Sequence, residues 1–292
     1  MTRRDALDMF LLSAFWGVSF LLIRYSGEVF PPVWVALLRS VCGALVLFAA
    51  LRLGRHSLPP VRLWRPLLLV ALFNNVLPWT FFAWGEQTVS SNIAAIINAT
   101  TPLFALLIGL TLRESRLRSP IIAGVFLGLG GVALTVSGGL GGGHATVQGA
   151  IVLLIASLGY AVATTIAKRT LAGLDSVGLA TTQLGLSALM LLPIALGGAH
   201  PATLTTRAVV SVIFLGVVGS GLAYLLYYGL LARVSPTQLT AVTYALPVWG
   251  LGWAALAGEP VGVISLVGVI VVLAGLGLIN LPPRRPRPAP ST

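Results

Sequence analysis

The sequence predicts an all-α integral membrane protein whose ten transmembrane helices form two inverted five-helix repeats. Three observations predict it. Residues are 57% apolar and only 9% charged, with a mean hydropathy of +0.97, against roughly 25% charged in a soluble domain. Ten stretches stay apolar for the ~20 residues a helix needs to cross hydrocarbon with every backbone polar group satisfied internally. The second half of the 292 residues repeats the first at a shift of 144 to 145 positions.

In order, the spans are expected at about 5–23, 33–51, 66–84, 88–111 and 120–137, then 148–167, 177–196, 208–228, 235–256 and 260–280. The first lacks an A-x-A-like cleavage site and reads as a span, not a removable signal. The largest insert runs from Arg52 to Arg65, which leaves no room for a separate soluble domain. The tail 282–292 is rich in Pro and Arg and is expected to be a disordered basic cytosolic segment.

A net charge of +11 would suggest nucleic acid in a soluble chain. Here it orients spans instead. With the N-terminus in the cytoplasm, fifteen of the eighteen basic residues fall on the inner side; Arg24 and Arg207 fall outside and Arg39 lies within the second span. Both termini are therefore expected to be cytoplasmic. The single cysteine, Cys42, lies in an apolar stretch and excludes both a disulfide framework and a Cys-based zinc site.

The repeat is read from matched segments. FWGVSFLLIR, ending at Arg24, matches GYAVATTIAKR, which carries Trp16 onto Tyr160 and Arg24 onto Lys168. VSSNIAAIINATTP matches VSPTQLTAVTYALP, with Pro102 on Pro247, and twelve residues later Glu114 falls on Glu259. Five spans is an odd number, so residues 148–281 must sit upside down relative to residues 1–137. The Gly-rich stretch 138–147 links them; it follows no strand and lacks a lysine, so it is not a phosphate loop. Halves related in this way can exchange outward-open and inward-open arrangements around a site near mid-membrane.

The duplicated order of these motifs, with WG in the first span and Arg39 in the second, resembles the EamA-type drug/metabolite transporter family over the whole chain. The layout is most similar to the YddG-type bacterial amino-acid exporters. The resemblance implies a central cavity lined mainly by the third, fourth, eighth and ninth spans, a bacterial inner-membrane location, and export of small metabolites.

Asn75, Trp79, Phe82 and Glu86 share one face of the third span, with Asn74 and Pro78 beside it. Ser220, Tyr224 and Tyr228 form the related stripe in the eighth, with Tyr227 adjacent. These polar groups either wall a substrate cavity or hydrogen-bond between helices. Pro102 and Pro247 each remove a helical hydrogen bond, leaving the carbonyls of Asn98 and Thr243 free for substrate at a hinge, or merely bending a helix. Tyr244 and Trp249 add aromatic surface. Arg39 pairs a substrate carboxylate or snorkels to the outer surface, and Gln183 lies opposite it in the repeat.

No carboxylate is expected at the membrane centre. Glu86, Glu114 and Glu259 fall at span ends, with Glu114 and Glu259 expected to cap helices or bridge basic neighbours such as Arg113 or Arg116. That absence favours facilitated export over proton antiport. His56, His144 and His200 do not converge, so the chain is expected to be neither an enzyme nor a metal or cofactor protein. The expected partners are the bilayer and amino acids or similar metabolites as cargo, with no nucleic acid. Aromatic cations carried by a multidrug exporter are the alternative.

Overall fold

The computed structural model describes residues 2–114, 119–231, 233–234 and 236–279. The tail 282–292 lies outside them. Ten helices follow in chain order: α1 Arg3–Gly27, α2 Pro32–Leu53, α3 Val61–Gly85, α4 Ser91–Thr111, α5 Ser119–Gly141, α6 Val147–Thr170, α7 Ser176–Gly197, α8 Thr206–Leu231, α9 Pro236–Leu256 and α10 Val263–Ile279. Among the described residues the first eight are long and apolar enough to cross a membrane, and Val242–Leu256 and Val263–Ile279 are shorter apolar helices. Leu45, Phe48, Phe126, Leu189 and Ile270 are exposed on their outer faces, as a lipid-facing surface requires.

Local chemistry sets several ends. Thr2 and Asp5 form a reciprocal cap on α1: the Asp5 amide donates to Thr2 Oγ1 at 3.1 Å and the Thr2 amide to Asp5 at 2.8 Å. Thr146, Asp175 and Thr205 accept from the first-turn amides of α6, α7 and α8. The linker begins later than the sequence suggested, because α5 stays helical to Gly141 and the chain reverses at Gly143, φ +72°.

Small residues let the helices touch backbone to backbone. A Cβ built at Gly275 of α10 would lie 2.6 Å from both the Gly124 oxygen and the Gly128 nitrogen of α5. The glycine of the WG motif has a similar reason: a Cβ at Gly17 would stand 2.2 Å from the Trp249 Cβ of α9.

Polar contacts tie the helix ends together in two groups. At one end, Arg24 pairs with Glu259 at 3.2 Å, Arg207 with Glu28, and the Ala202 amide donates to the Val29 oxygen. At the other, Arg233 pairs with Asp5 at 3.0 Å and with Asp8, and His56 contacts Asp175 at 2.9 Å. Glu114 also lies at this second end. Its partners among the described residues are Arg169 at 2.8 Å and Lys168 at 3.6 Å, not the neighbouring Arg113, which turns into a left-handed conformation, φ 58°; Arg116, the other neighbour expected from sequence, lies outside the described residues.

The Arg169 hydrogen bond holds the Glu114 carboxyl below its ordinary value. A carboxyl that binds its proton more weakly when folded stabilises the fold above the unfolded carboxylate range, and that contribution is lost as pH falls through the lowered value. Glu114→Gln is therefore expected to lower the thermal midpoint of the detergent-solubilised protein at neutral pH. Its midpoint should converge with the wild type's in acid.

Candidate substrate site

The polar centre is built by two helices that each contain a wide turn. In α3 residues Leu72–Val76 form a π-helical turn, placed where Pro78 cannot donate to the carbonyl of Asn74. In α8 the π-helical turn is Val217–Leu222, within a glycine-rich run. The two turns begin 145 residues apart. The α8 turn presses against α2, where a Cβ at Gly216 would meet Cys42 at 2.5 Å and one at Gly221 would meet Val46 at 2.6 Å. Close approach here carries Ser220 to Arg39.

Arg39 turns inward. Its Nε donates to Ser220 Oγ at 2.8 Å, its guanidinium lies 4.1 Å from the centre of the Trp79 ring, and the residue is only 7% exposed. The snorkelling reading is not what α2 adopts. No acidic residue forms an ion pair with Arg39 among the described residues. A cation over an indole gains ~0.5–2 kcal/mol, well short of what a buried unpaired charge costs.

Neutral polar groups stand beside it. Asn74 Nδ2 donates to Tyr224 at 3.0 Å and to Gln183 Oε1 at 3.3 Å, and Asn75 Nδ2 donates to Tyr224 at 3.2 Å. Asn75 Oδ1 is buried with no hydrogen-bond partner. Tyr224 and Tyr228 stack at 6.0 Å, Tyr227 meets Tyr228 edge-on at 5.2 Å, and Phe82 lies between Phe20 at 5.6 Å and Tyr160 at 6.1 Å. The structure thus brings Arg39, Asn75, Trp79, Phe82, Tyr224 and Tyr228 into one region. Asn74, placed by the sequence beside the stripe, joins it with Gln183, the repeat counterpart of Arg39, and Tyr160, that of Trp16.

Among the described residues, the α4 and α9 candidates make no hydrogen bond to this group, although Tyr244 packs against the same apolar cluster as Phe82 and Tyr160. α4 breaks after Asn98 and restarts at Thr101, with Pro102 in its second half's first turn. The Asn98 carbonyl is not free as expected: Thr101 Oγ1 donates to it at 2.9 Å. Asn98 instead leaves its side-chain Oδ1 buried and unpartnered. α9 runs unbroken through Pro247, so the two prolines do not bend their helices alike. Thr243 is half-buried, and Tyr244 reaches the Leu276 oxygen of α10 at 3.5 Å. The groups around Arg39 come from α2, α3, α6, α7 and α8, which include the third and eighth of the spans that the resemblance implied.

One buried carboxylate, at the end of its span as expected, has no partner. Glu86, the residue after α3, is 6% exposed, and neither of its oxygens has a hydrogen-bond partner. Burial, then the nearby Glu259 carboxylate, pushes its carboxyl well above the ordinary range, against Arg24 and Arg39. Glu86 lines a cavity of about 540 Å³ with Arg24, Glu28, Ser90 and His144. Sequence hydropathy placed it at a span end and carried no sign of this burial.

A model of the EamA-like transporter family matches residues 6–137 and again 147–281. The chain belongs to that family. This EamA-like transporter is 30% identical over 287 residues to the uncharacterized inner membrane transporter YedA of Escherichia coli K12, covering 94% of this chain and 89% of that one. It is 24% identical to a probable amino-acid metabolite efflux pump of Salmonella typhimurium LT2, with 94% of each chain covered. A solved crystal structure matches with a TM-score of 0.68 at 21% identity, over 96% of this EamA-like chain and 97% of its own, which shows a shared fold.

Proposed function

We propose that this EamA-like transporter is a bacterial inner-membrane carrier, not an enzyme, that exports amino acids or similar zwitterionic metabolites by alternating access. The observation that carries the reading is Arg39: a buried guanidinium, stacked on Trp79 and lacking an anionic partner among the described residues, is a receptor for a carboxylate. Asn75 Oδ1, a buried acceptor without a donor, suits a substrate ammonium group. The surrounding tyrosines and Phe82 give apolar walls that discriminate weakly between side chains. The amino-acid metabolite efflux pump among the relatives supports this cargo class.

Alternating access draws support from paired features of the two halves. The family model matches twice, and the π-helical turns are spaced by the repeat. The ion pairs follow the same rule: Arg24–Glu259 joins the halves at one end, while Lys168 and Arg169 with Glu114, their repeat equivalents, join them at the other. In an inverted repeat, such pairs close opposite faces in turn. The basic residues of the inner loops support cytoplasmic termini. Cargo moves down its own gradient, a reading supported by the lack of any carboxylate in an ion pair with Arg39 among the described residues.

The test is flux from liposomes preloaded with labelled amino acids, one at a time, against protein-free vesicles. Saturable, mutually competing amino-acid flux without an imposed pH gradient is expected. Flux confined to aromatic cations, or accumulation driven by a pH gradient, overturns the assignment in favour of a multidrug or antiport carrier.

A further inference from the structure

The Arg24–Glu259 end and its repeat counterpart are not equally built. Glu259 is 6% exposed at its side chain and also accepts from the Ser91 amide at 3.2 Å and Ser91 Oγ at 2.9 Å. Asn92 Nδ2 adds a bond to the Pro260 oxygen at 3.1 Å. The counterpart of Ser91 in the repeat is Pro236, which has neither an amide proton nor a hydroxyl. Glu86 has no acidic counterpart either, since a shift of 145 lands on Leu231. The carboxylate of Glu86 is therefore not repeated at the matching place of the other end.

That carboxylate has nothing to satisfy it. Both Glu86 oxygens are enclosed and unpartnered, although the residue lines the 540 Å³ cavity. A bare charge on oxygens that meet neither a donor nor solvent is costly, and a bound proton removes that charge. The charged groups facing Glu86 are Arg24 from α1, Arg39 from α2 and Glu259 from the α9–α10 turn; Glu28 and His144 line the same cavity, with Glu28 held by Arg207. Arg24 is committed to Glu259 while this end is closed.

We propose that Glu86 is a proton-binding site that holds the Arg24–Glu259 end closed while protonated and loses its proton to water when that end opens. On opening, Glu259 leaves Arg24 and Ser91. Water enters the cavity, the Glu86 O–H bond breaks, the proton passes to water, and the carboxylate pairs with the Arg24 guanidinium. Closure reverses each step. The proton enters and leaves at the same end, so the site regulates opening by pH without net proton transport. A carboxyl that binds protons more tightly in the closed state favours closure at low pH, and that preference is lost as pH rises through its raised value. This proposal needs no knowledge of the cargo.

The test uses the full chain in liposomes, in a Cys42→Ser background carrying Val89→Cys, a cavity-lining position only 2% exposed here. The probe is a membrane-impermeant maleimide. Labelling rate in the Glu86 chain is divided by that in Glu86→Gln at each pH, which cancels the intrinsic thiol chemistry. The ratio is expected to rise at least about fivefold between about pH 5 and about pH 8, and to keep that rise in His144→Ala. A flat ratio, or a rise that disappears in His144→Ala, overturns the proposal. Infrared difference spectroscopy of the unsubstituted chain gives an independent reading: a buried carboxylic acid band is expected at neutral pH and should vanish in alkali. Its absence at neutral pH also overturns the proposal.

Discussion

Replacing Arg39 with glutamine is expected to raise the half-saturation concentration for amino-acid flux about 10- to 100-fold. A charge-assisted hydrogen bond to a carboxylate contributes ~1.5–3 kcal/mol, and 1.4 kcal/mol is a tenfold change in affinity. The fold should survive, because no acidic residue pairs with Arg39 among the described residues and none is left as an orphaned buried anion. Glutamine can still hydrogen-bond Ser220. Arg39→Lys keeps the charge but loses the planar fork and its stacking on Trp79, so an intermediate loss is expected. Cargo without a carboxylate should be unaffected by either change. Unaltered kinetics for zwitterions in Arg39→Gln would remove the carboxylate role and leave Arg39 a structural tie between α2 and α8.

Gly275→Leu is expected to prevent accumulation of folded, monodisperse protein. The position allows no relief: a Cβ there already meets backbone atoms of Gly124 and Gly128, which cannot rotate away as a flexible side chain would. Gly131 and Gly268 sit on the same seam, where a Cβ at Gly131 would stand 2.8 Å from the Gly268 oxygen. Even an overpacked core with side chains free to shift loses ~1–3 kcal/mol, so a backbone clash between two helices should exceed that. Gly277→Ala, two residues away and facing open space, is the control; its thermal midpoint should match the wild type's. Normal folding of Gly275→Leu would mean that α5 and α10 are held chiefly by contacts outside the seam.

How far the site could be read in advance differs residue by residue. The stripe Asn75, Trp79, Phe82 on α3 and the stripe Ser220, Tyr224, Tyr228 on α8 were legible because periodicity along one helix is local information, written in residues three and four apart. The free Asn98 carbonyl was also a local inference, and it failed because a neighbouring hydroxyl, Thr101 Oγ1, competes for that oxygen at no cost in chain length. Arg113, one of the partners expected for Glu114, failed differently. Sequence proximity favoured Arg113, but the ends of α4 and α6 meet in space, and Arg169 arrives with better geometry from 55 residues away.

By itself the sequence determined the class of protein, its sequence of apolar helices, and the doubled motif that places Glu114 and Glu259 in matching positions. These follow from hydropathy, helix length and self-similarity, each summed along the chain. Only the tertiary structure decided where Arg39 points, which helices wall it, and that Glu86 is enclosed without a partner. Those outcomes depend on how closely neighbouring helices approach, which glycines such as Gly216 and Gly221 permit and no single segment encodes.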